Sequence, residues 1–378
     1  MLKKPLVDSN QYGFATGRIR ALEGQLMDIA RLNRLIEARN PEDIARVLAD
    51  SGYASSDAPD VLDRETAELY KLAGEVMVNK EFVDALLVFN DCHNLKAIEK
   101  YLAAWWSRLS ENPEDEYEKD PLARPDRLAD LESPTLPEIE LPATDDTANF
   151  SAISDLMVHP SLVEPELLFK AIRDRTPDSI PAWLYQGAIE AATAVRTRYD
   201  IAEIDQIIDR LAYTEAIHRA QELGNPFFLN YLFLRADLAN LGSLLRSRLL
   251  KADQRTLSQT LLPAGKISHT MLLGWFVAEP EQITADLAQG PFAELAPFYS
   301  TPNQRGMLAA FGKACDHLIL DHLKTTQYIL RGPEVPLAYL LARLLEIKNV
   351  RIAQTLLRNK LPSAQIRELA RDSLAARR

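Results

Sequence analysis

The apolar residues of this chain recur at three- and four-residue steps over most of its length, and that period constrains the fold more than any other feature. Ile19, Leu22, Leu26, Ile29 and Leu35 place one apolar stripe on a helix predicted over about residues 12–37. The next helix is well marked: Asn40 offers a cap, Pro41 suits the first turn, Glu42 and Asp43 oppose the positive N-terminal dipole, and Gly52 follows its end. Asp200 precedes Ile201, Ile204, Ile207, Ile208 and Leu211 in another amphipathic run, which stops at Gly224-Asn225-Pro226. Alternating β-branched runs bounded by glycine or Asn-Gly turns, the signature of strands, are essentially missing. The predicted class is all-α.

Composition narrows the function more than the fold. The chain has 378 residues and is 47% hydrophobic, enough for two or three cores. Its net charge of −11 is concentrated: residues 111–148 hold 13 acidic against three basic residues, and six prolines at 113, 121, 125, 134, 137 and 142. That composition opposes helix and predicts an acidic, proline-rich linker or insert over residues 111–150. The remainder is nearly neutral and lacks the basic face that nucleic acid requires, so no nucleic-acid partner is expected. With only Cys92 and Cys315 there is no disulfide framework and no CxxC pair for zinc, which fits a reducing compartment. The opening MLKKPLVDSN has two lysines but no apolar stretch after them, unlike a secretory signal. Met271–Ala278 is among the longest apolar runs, far short of the ~18–20 residues of a membrane span.

Inside the helical frame one motif appears three times. Aligning Asp91, Asp237 and Glu346 puts Leu86, Leu232 and Leu341 in one column, Asn94, Asn240 and Asn349 in another, and Leu95, Leu241 and Val350 in the next. The motif is acid-x-x-Asn-aliphatic, and its i, i+3 spacing points each carboxylate and amide to one side of a helix. Both residue types prefer helix ends and local backbone bonds to helix interiors, so a structural use is expected, pinning a bend or junction in three related bundles.

Other conspicuous residues have plainer readings. Cys315–His322, CDHLILDH, holds a thiol, two acids and two histidines, but His317 and His322 are five apart where paired helical ligands usually sit four apart. An ordinary amphipathic helix with no metal is expected there. Asp145-Asp146 resembles half of an aspartate-rich Mg²⁺ motif, yet lacks a third acid and falls in the acidic segment. Trp105-Trp106 fits either a partner anchor or core packing. No glycine-rich phosphate loop and no Ser-His-Asp or Cys-His setting occurs, so neither catalytic residues, cofactor nor small-molecule substrate is expected.

Five segments, in order, resemble the C subunit of the V-type ATPases, a family related to the d subunit of the eukaryotic vacuolar enzyme. They are YGFATGRIRALEGQLM, with Tyr12, Arg18, Arg20 and Glu23 at the matching positions; NPEDIARVLADSGY; RADLANLGSLLRSRLL with LLPAGKI and its turn at Gly265; GPEVPLAYLLARLLEIKNVR; and LPSAQIREL. The resemblance implies a non-enzymatic subunit of three similar helical subdomains arranged as a funnel, here expected over residues 1–110, 151–265 and 266–378. It further implies a place on the cytoplasmic face of the membrane, peripheral through the ATPase complex, with central-stalk subunits and the proteolipid rotor ring as partners and torque passing between ATP turnover and H⁺ or Na⁺ transport. Arg18 and Arg20 would then present cations to a partner, although Glu23, three residues beyond Arg20, offers an intrahelical ion pair instead. A generic helical-repeat scaffold of another complex shares the periodicity but has no need of the five segments in order.

Overall fold

Every regular element among the described residues is helical. The computed structural model describes residues 9–38, 40–53, 61–109, 149–198, 200–263, 265–300, 306–370 and 374–375. The acidic segment 111–148, with Asp145-Asp146, lies outside them. In chain order the helices are α1 (Gly13–Leu22), α2 (Ile29–Ile36), α3 (Pro41–Asp50), α4 (Val61–Val76) and α5 (Glu81–Leu109). After the acidic segment come α6 (Pro165–Arg173), α7 (Ala182–Arg198), α8 (Ala202–Leu223), α9 (Pro226–Leu249), α10 (Gln254–Thr260) and α11 (His269–Val277). The last are α12 (Pro280–Ala288), α13 (Pro297–Ser300), α14 (Met307–Lys324), α15 (Glu334–Arg358) and α16 (Ser363–Leu369).

Helix boundaries follow local chemistry where that chemistry is strong. Asn40 accepts from the Asp43 amide at 2.8 Å to open α3, and Gly52 takes the positive φ of 76° that ends it. Gly224 (φ 64°) closes α8, Asn225 accepts from Phe228 N at 3.0 Å, and Pro226 starts α9. The predicted helix over residues 12–37 is instead broken. α1 ends at Leu22, a 3-10 turn covers Glu23–Gln25, Leu26 is extended, and Asp28 caps α2 by accepting from Arg31 N at 2.8 Å. Ile29, on the predicted apolar stripe, is 55% exposed. The cause is tertiary: the Met27 amide leaves the helical ladder to meet a side chain 319 residues away.

The chain forms two compact units, residues 1–89 with 212–378, and residues 90–211. In the larger, α9 and α15 are core helices, buried on more than one face. Phe228, Leu232, Leu241 and Leu244 of α9 and Val335, Leu337, Val350 and Ala353 of α15 are fully buried. Leu241 and Leu244 of α9 join Leu257, Leu272, Ile283, Leu295 and Phe311 in one apolar cluster. Fully burying one such side chain stabilises by ~1.5–3 kcal/mol, so these helices hold the unit through packing rather than propensity. In the smaller unit Ile98, Leu168, Leu184, Ala188 and Ile208 form the interior. α7 and α8 meet closely at Gly187, where a Cβ would collide with Leu211. Lys96 to Asp209 (2.6 Å) and Lys100 to Asp205 (2.7 Å) pair α5 with α8, and as partly exposed pairs they contribute at most ~1 kcal/mol each.

Candidate functional site: three backbone seats and an apolar crown

The three motif helices α5, α9 and α15 each hold a loop, and the first two do so residue for residue. On α5, Val158 N donates to Asn94 Oδ1 at 2.7 Å while Asn94 Nδ2 donates to Val158 O at 3.0 Å. Asp91 Oδ1 then accepts from Leu162 N (2.9 Å) and Val163 N (3.1 Å). On α9, Leu262 N donates to Asn240 Oδ1 at 2.7 Å and Asn240 Nδ2 donates to Leu262 O at 3.1 Å. Asp237 accepts from Lys266 N and Ile267 N, both at 3.0 Å. The amide therefore grips one residue and the carboxylate takes the N–H groups four and five residues further on.

That pattern explains the residue types. A loop lying on a buried helix face carries peptide groups that water cannot reach, each costing ~1–3 kcal/mol if left unpaired. Asparagine supplies a donor and an acceptor for one peptide residue, and an ionised aspartate supplies acceptors for two N–H groups. Asp91, Asn94, Asp237 and Asn240 are all 0–1% exposed. Burial lifts the Asp237 carboxyl above the ordinary aspartate range, against the pull of its two amide donors. Gly265 lies against this carboxylate so closely that a Cβ would run into Asp237 Oδ1, so the turn must be glycine.

The third seat is a variant. Glu346 Oε2 accepts from Met27 N at 2.7 Å, and its Oε1 accepts from the Tyr53 hydroxyl (3.0 Å) and Arg343 Nη1 (2.6 Å). Arg343, 3% exposed, also donates to Ser51 O (3.1 Å) and Glu65 Oε1 (3.0 Å), with its guanidinium 3.8 Å from the Tyr53 ring centroid. Burial raises the Glu346 carboxyl, with Arg343 opposing. Asn349 is 2% exposed. In all three places the gripped segment ends immediately before a helix cap: Val163 precedes Glu164 of α6, Ile267 precedes Ser268 of α11, and Met27 precedes Asp28 of α2.

The N-terminal residues singled out by the resemblance serve the same frame. Tyr12, fully buried, donates to Asn79 Oδ1 and accepts from Asn79 N, both at 3.1 Å. Arg20 pairs with Glu23 at 2.7 Å and spreads its other nitrogen over Thr326 O (2.7 Å), Ile329 O (3.2 Å) and Gln327 O (3.4 Å). Arg18 meets Glu75 at 2.9 Å on the surface. Arg248 repeats the device, donating to Trp275 O, Phe276 O and Ala278 O at 2.7–2.9 Å, where the carbonyls of α11 run out of partners.

The Tyr12 and Arg20 bonds tie α1 to the segments before α5 and α15. Phe82 and Phe228 pack edge to face with centroids 5.6 Å apart, and Asn225 Nδ2 donates to Glu334 Oε1 at 2.7 Å, which brings the starts of α5, α9 and α15 together. The elements tied there expose Phe14 (80%), Tyr328 (81%), Leu330 (85%) and Val78 (48%). Single exposed apolar residues are ordinary, and these are the most exposed of those on the elements tied there.

The residues of Cys315–His322 are engaged with protein groups. Asp316 accepts from Lys348 Nζ at 3.0 and 3.1 Å, His317 Nδ1 lies 3.1 Å from Glu294 Oε1, and His322 Nε2 lies 3.1 Å from Phe227 O with its ring stacked on Phe227. Among the described residues no group of three or more His, Cys, Asp or Glu is placed to hold a metal. Trp105 is half-buried, and the Trp106 side chain lies outside the described residues. Nothing local in the sequence marks the loop backbones in the seats, Arg343 and Tyr53, or Arg248; only the Asp and Asn columns point toward them.

The protein is all-α, and the buried polar groups of its three seats grip its own backbone. The profile of the ATP synthase (C/AC39) subunit family matches residues 15–122 and 143–369, and the chain belongs to that family. It is thus a subunit of an A/V-type ATPase. It is 21% identical over 375 residues to the C subunit of the A-type ATP synthase of Thermococcus kodakarensis, covering 94% of this chain and 89% of that one. It is 24% identical over 219 residues to the C subunit of the V-type sodium ATPase of Enterococcus hirae, covering 58% of this chain and 66% of that one. Among the described residues no helix is long and apolar enough to cross a membrane.

Proposed function

We propose that this chain is the non-catalytic joint between the central stalk and the proteolipid rotor ring, so that ATP turnover is coupled to H⁺ or Na⁺ transport. It sits on the cytoplasmic side of the membrane, peripheral through the complex, and takes no small-molecule substrate. The observation that carries this reading is the framework of buried seats, because a part that transmits torque needs fixed geometry rather than a reacting group. Each motif helix grips the loop that opens a helical segment: α5 the loop before α6, α9 the loop before α11, α15 the loop before α2. On this reading the chain has three similar subdomains, over residues 1–110, 151–265 and 266–378, each holding one motif helix. The apolar crown of Phe14, Tyr328 and Leu330 is the surface we assign to a neighbouring subunit of the same complex, since a subunit of an ATPase has such neighbours and an exposed apolar end gains by being covered.

The test is assembly. Phe14→Ser, Tyr328→Ser and Leu330→Ser together remove exposed apolar area and touch none of the seats, so the purified variant should melt within a few degrees of the parent. It should fail to join the complex in a pull-down through a stalk or ring subunit. Full incorporation of the variant would remove the crown from the joint.

A further inference from the structure

Each gripped loop opens a helix, and the three helices can be compared position by position from their cap residues Asp28, Glu164 and Ser268. The fourth position is Leu32 on α2, Leu168 on α6 and Leu272 on α11, and the seventh is Leu35, Ala171 and Trp275; all six are buried. The inward faces agree, and the outer faces do not. The third, sixth and ninth positions are Arg31, Arg34 and Glu37 on α2, and Leu167, Lys170 and Arg173 on α6, but Met271, Gly274 and Val277 on α11. The whole of α11, HTMLLGWFV, holds no Asp, Glu, Lys or Arg. A helix in this place can carry a charged outer face, as α2 and α6 show, so the fold does not dictate the apolar one. Met271 is 50% and Val277 70% exposed. Arg248 donates to Trp275 O, Phe276 O and Ala278 O, which brings the end of α9, with Leu250 at 78% exposure, against the end of α11. Between Met271 and Val277, Gly274 weakens its own helix without serving the chain's packing: its φ is not positive, and a Cβ there would meet nothing within 4 Å.

We propose that the outer face of α11, with Leu250 beside it, docks an apolar helix of another subunit of the ATPase, which crosses closest at Gly274. The partner's chemistry follows from the face. Without a charge of its own, α11 matches an uncharged helix and offers nothing to anionic lipid headgroups or to an acidic peptide. The exposed charges that flank it, Lys251 after Leu250 and Glu279 two residues past Val277, are of both signs, as at the rim of a protein interface. The missing side chain at Gly274 lets a second backbone approach between Met271 and Val277. The surface shares no residue with Phe14, Tyr328 and Leu330, and it rests on the chain's membership of the complex and not on the coupling role.

The test gives α11 the outer residues that α2 carries: Met271→Arg, Gly274→Arg and Val277→Glu together. The equivalent helix bears them and a helix glycine is lost, so the purified variant should melt at the parent's temperature or above. Competing with the parent chain during reassembly of the complex, it should be incorporated about tenfold less or worse. In a second arm, the parent chain with p-benzoylphenylalanine in place of Val277 is assembled and irradiated, and should crosslink to another subunit. Incorporation equal to the parent's overturns the proposal. So does a crosslink only to lipid, to a second copy or within this chain, or none at all. Should the triple variant not fold, the crosslink decides. The crosslink reads contact and not coupling, so a complex that crosslinks there and yet pumps normally without this chain would refute the joint and leave the docking surface standing.

Discussion

Glu99 sits inside the smaller unit at 4% exposure; among the described residues its Oε1 has no hydrogen-bond partner, and the Arg196 charge opposes the effect of burial. Burial pushes its carboxyl up to about 8, far above the ~4.3 of a free glutamate. A folded-state value above the unfolded one means the fold prefers the protonated form. The stability associated with this group is therefore full below the unfolded value and is lost as pH rises through about 8. Glu99→Gln resembles the protonated acid at every pH, so the variant should match the parent near pH 4 and melt progressively higher than it toward pH 8, with no further gain above. Thermal melts across that range check it, and a constant gap would contradict it. In the sequence Glu99 lies between Lys96 and Lys100, and nothing local marks it as buried. Its burial depends on helices far along the chain, which no local pattern encodes. Asp91, Asn94, Asp237 and Asn240 were legible because an acid and an amide at i, i+3 within a leucine-rich helix are costly unless used. Their partners were not, because a backbone amide has no residue identity to read.

At the scale of an element, the seat is a helix and a loop that make one another possible. Removing Asp237 and Asn240 together strips four hydrogen bonds from Leu262, Lys266 and Ile267 and leaves three N–H groups and one C=O, those of Leu262 buried, without these partners. Asp237→Ala with Asn240→Ala should therefore cost about 3 kcal/mol or more and lower the melting temperature of the isolated subunit. Denaturant unfolding measures it, and unchanged stability with lost assembly would place the pair at an interface instead. Helix starts and stops were readable wherever a side chain adjacent in sequence makes them, as Asn40, Gly52, Gly224 and Asn225 do. The break at Glu23–Asp28 was not. The apolar period runs straight through it, and the group responsible, Glu346, stands on α15.

For the whole molecule, helical period and missing strand signals were enough to give the class, since a two-residue alternation has nowhere to hide in a chain of this length. The order of five family-like segments reached further than any single residue, and the profile match over residues 15–122 and 143–369 overlaps all five. The proposed joint rests on that resemblance, because an interface is a property of two surfaces and a sequence shows one. Removing a joint breaks no bond-making step, so the nucleotide-binding head of the ATPase should keep hydrolysing ATP without this chain. Ion pumping should fail, because torque no longer reaches the ring. The most direct measurement is the ratio of ion-gradient formation to ATP hydrolysis in the reconstituted complex, with and without this subunit. The account predicts that hydrolysis persists while the ratio collapses toward zero; pumping at a normal ratio in its absence would contradict it.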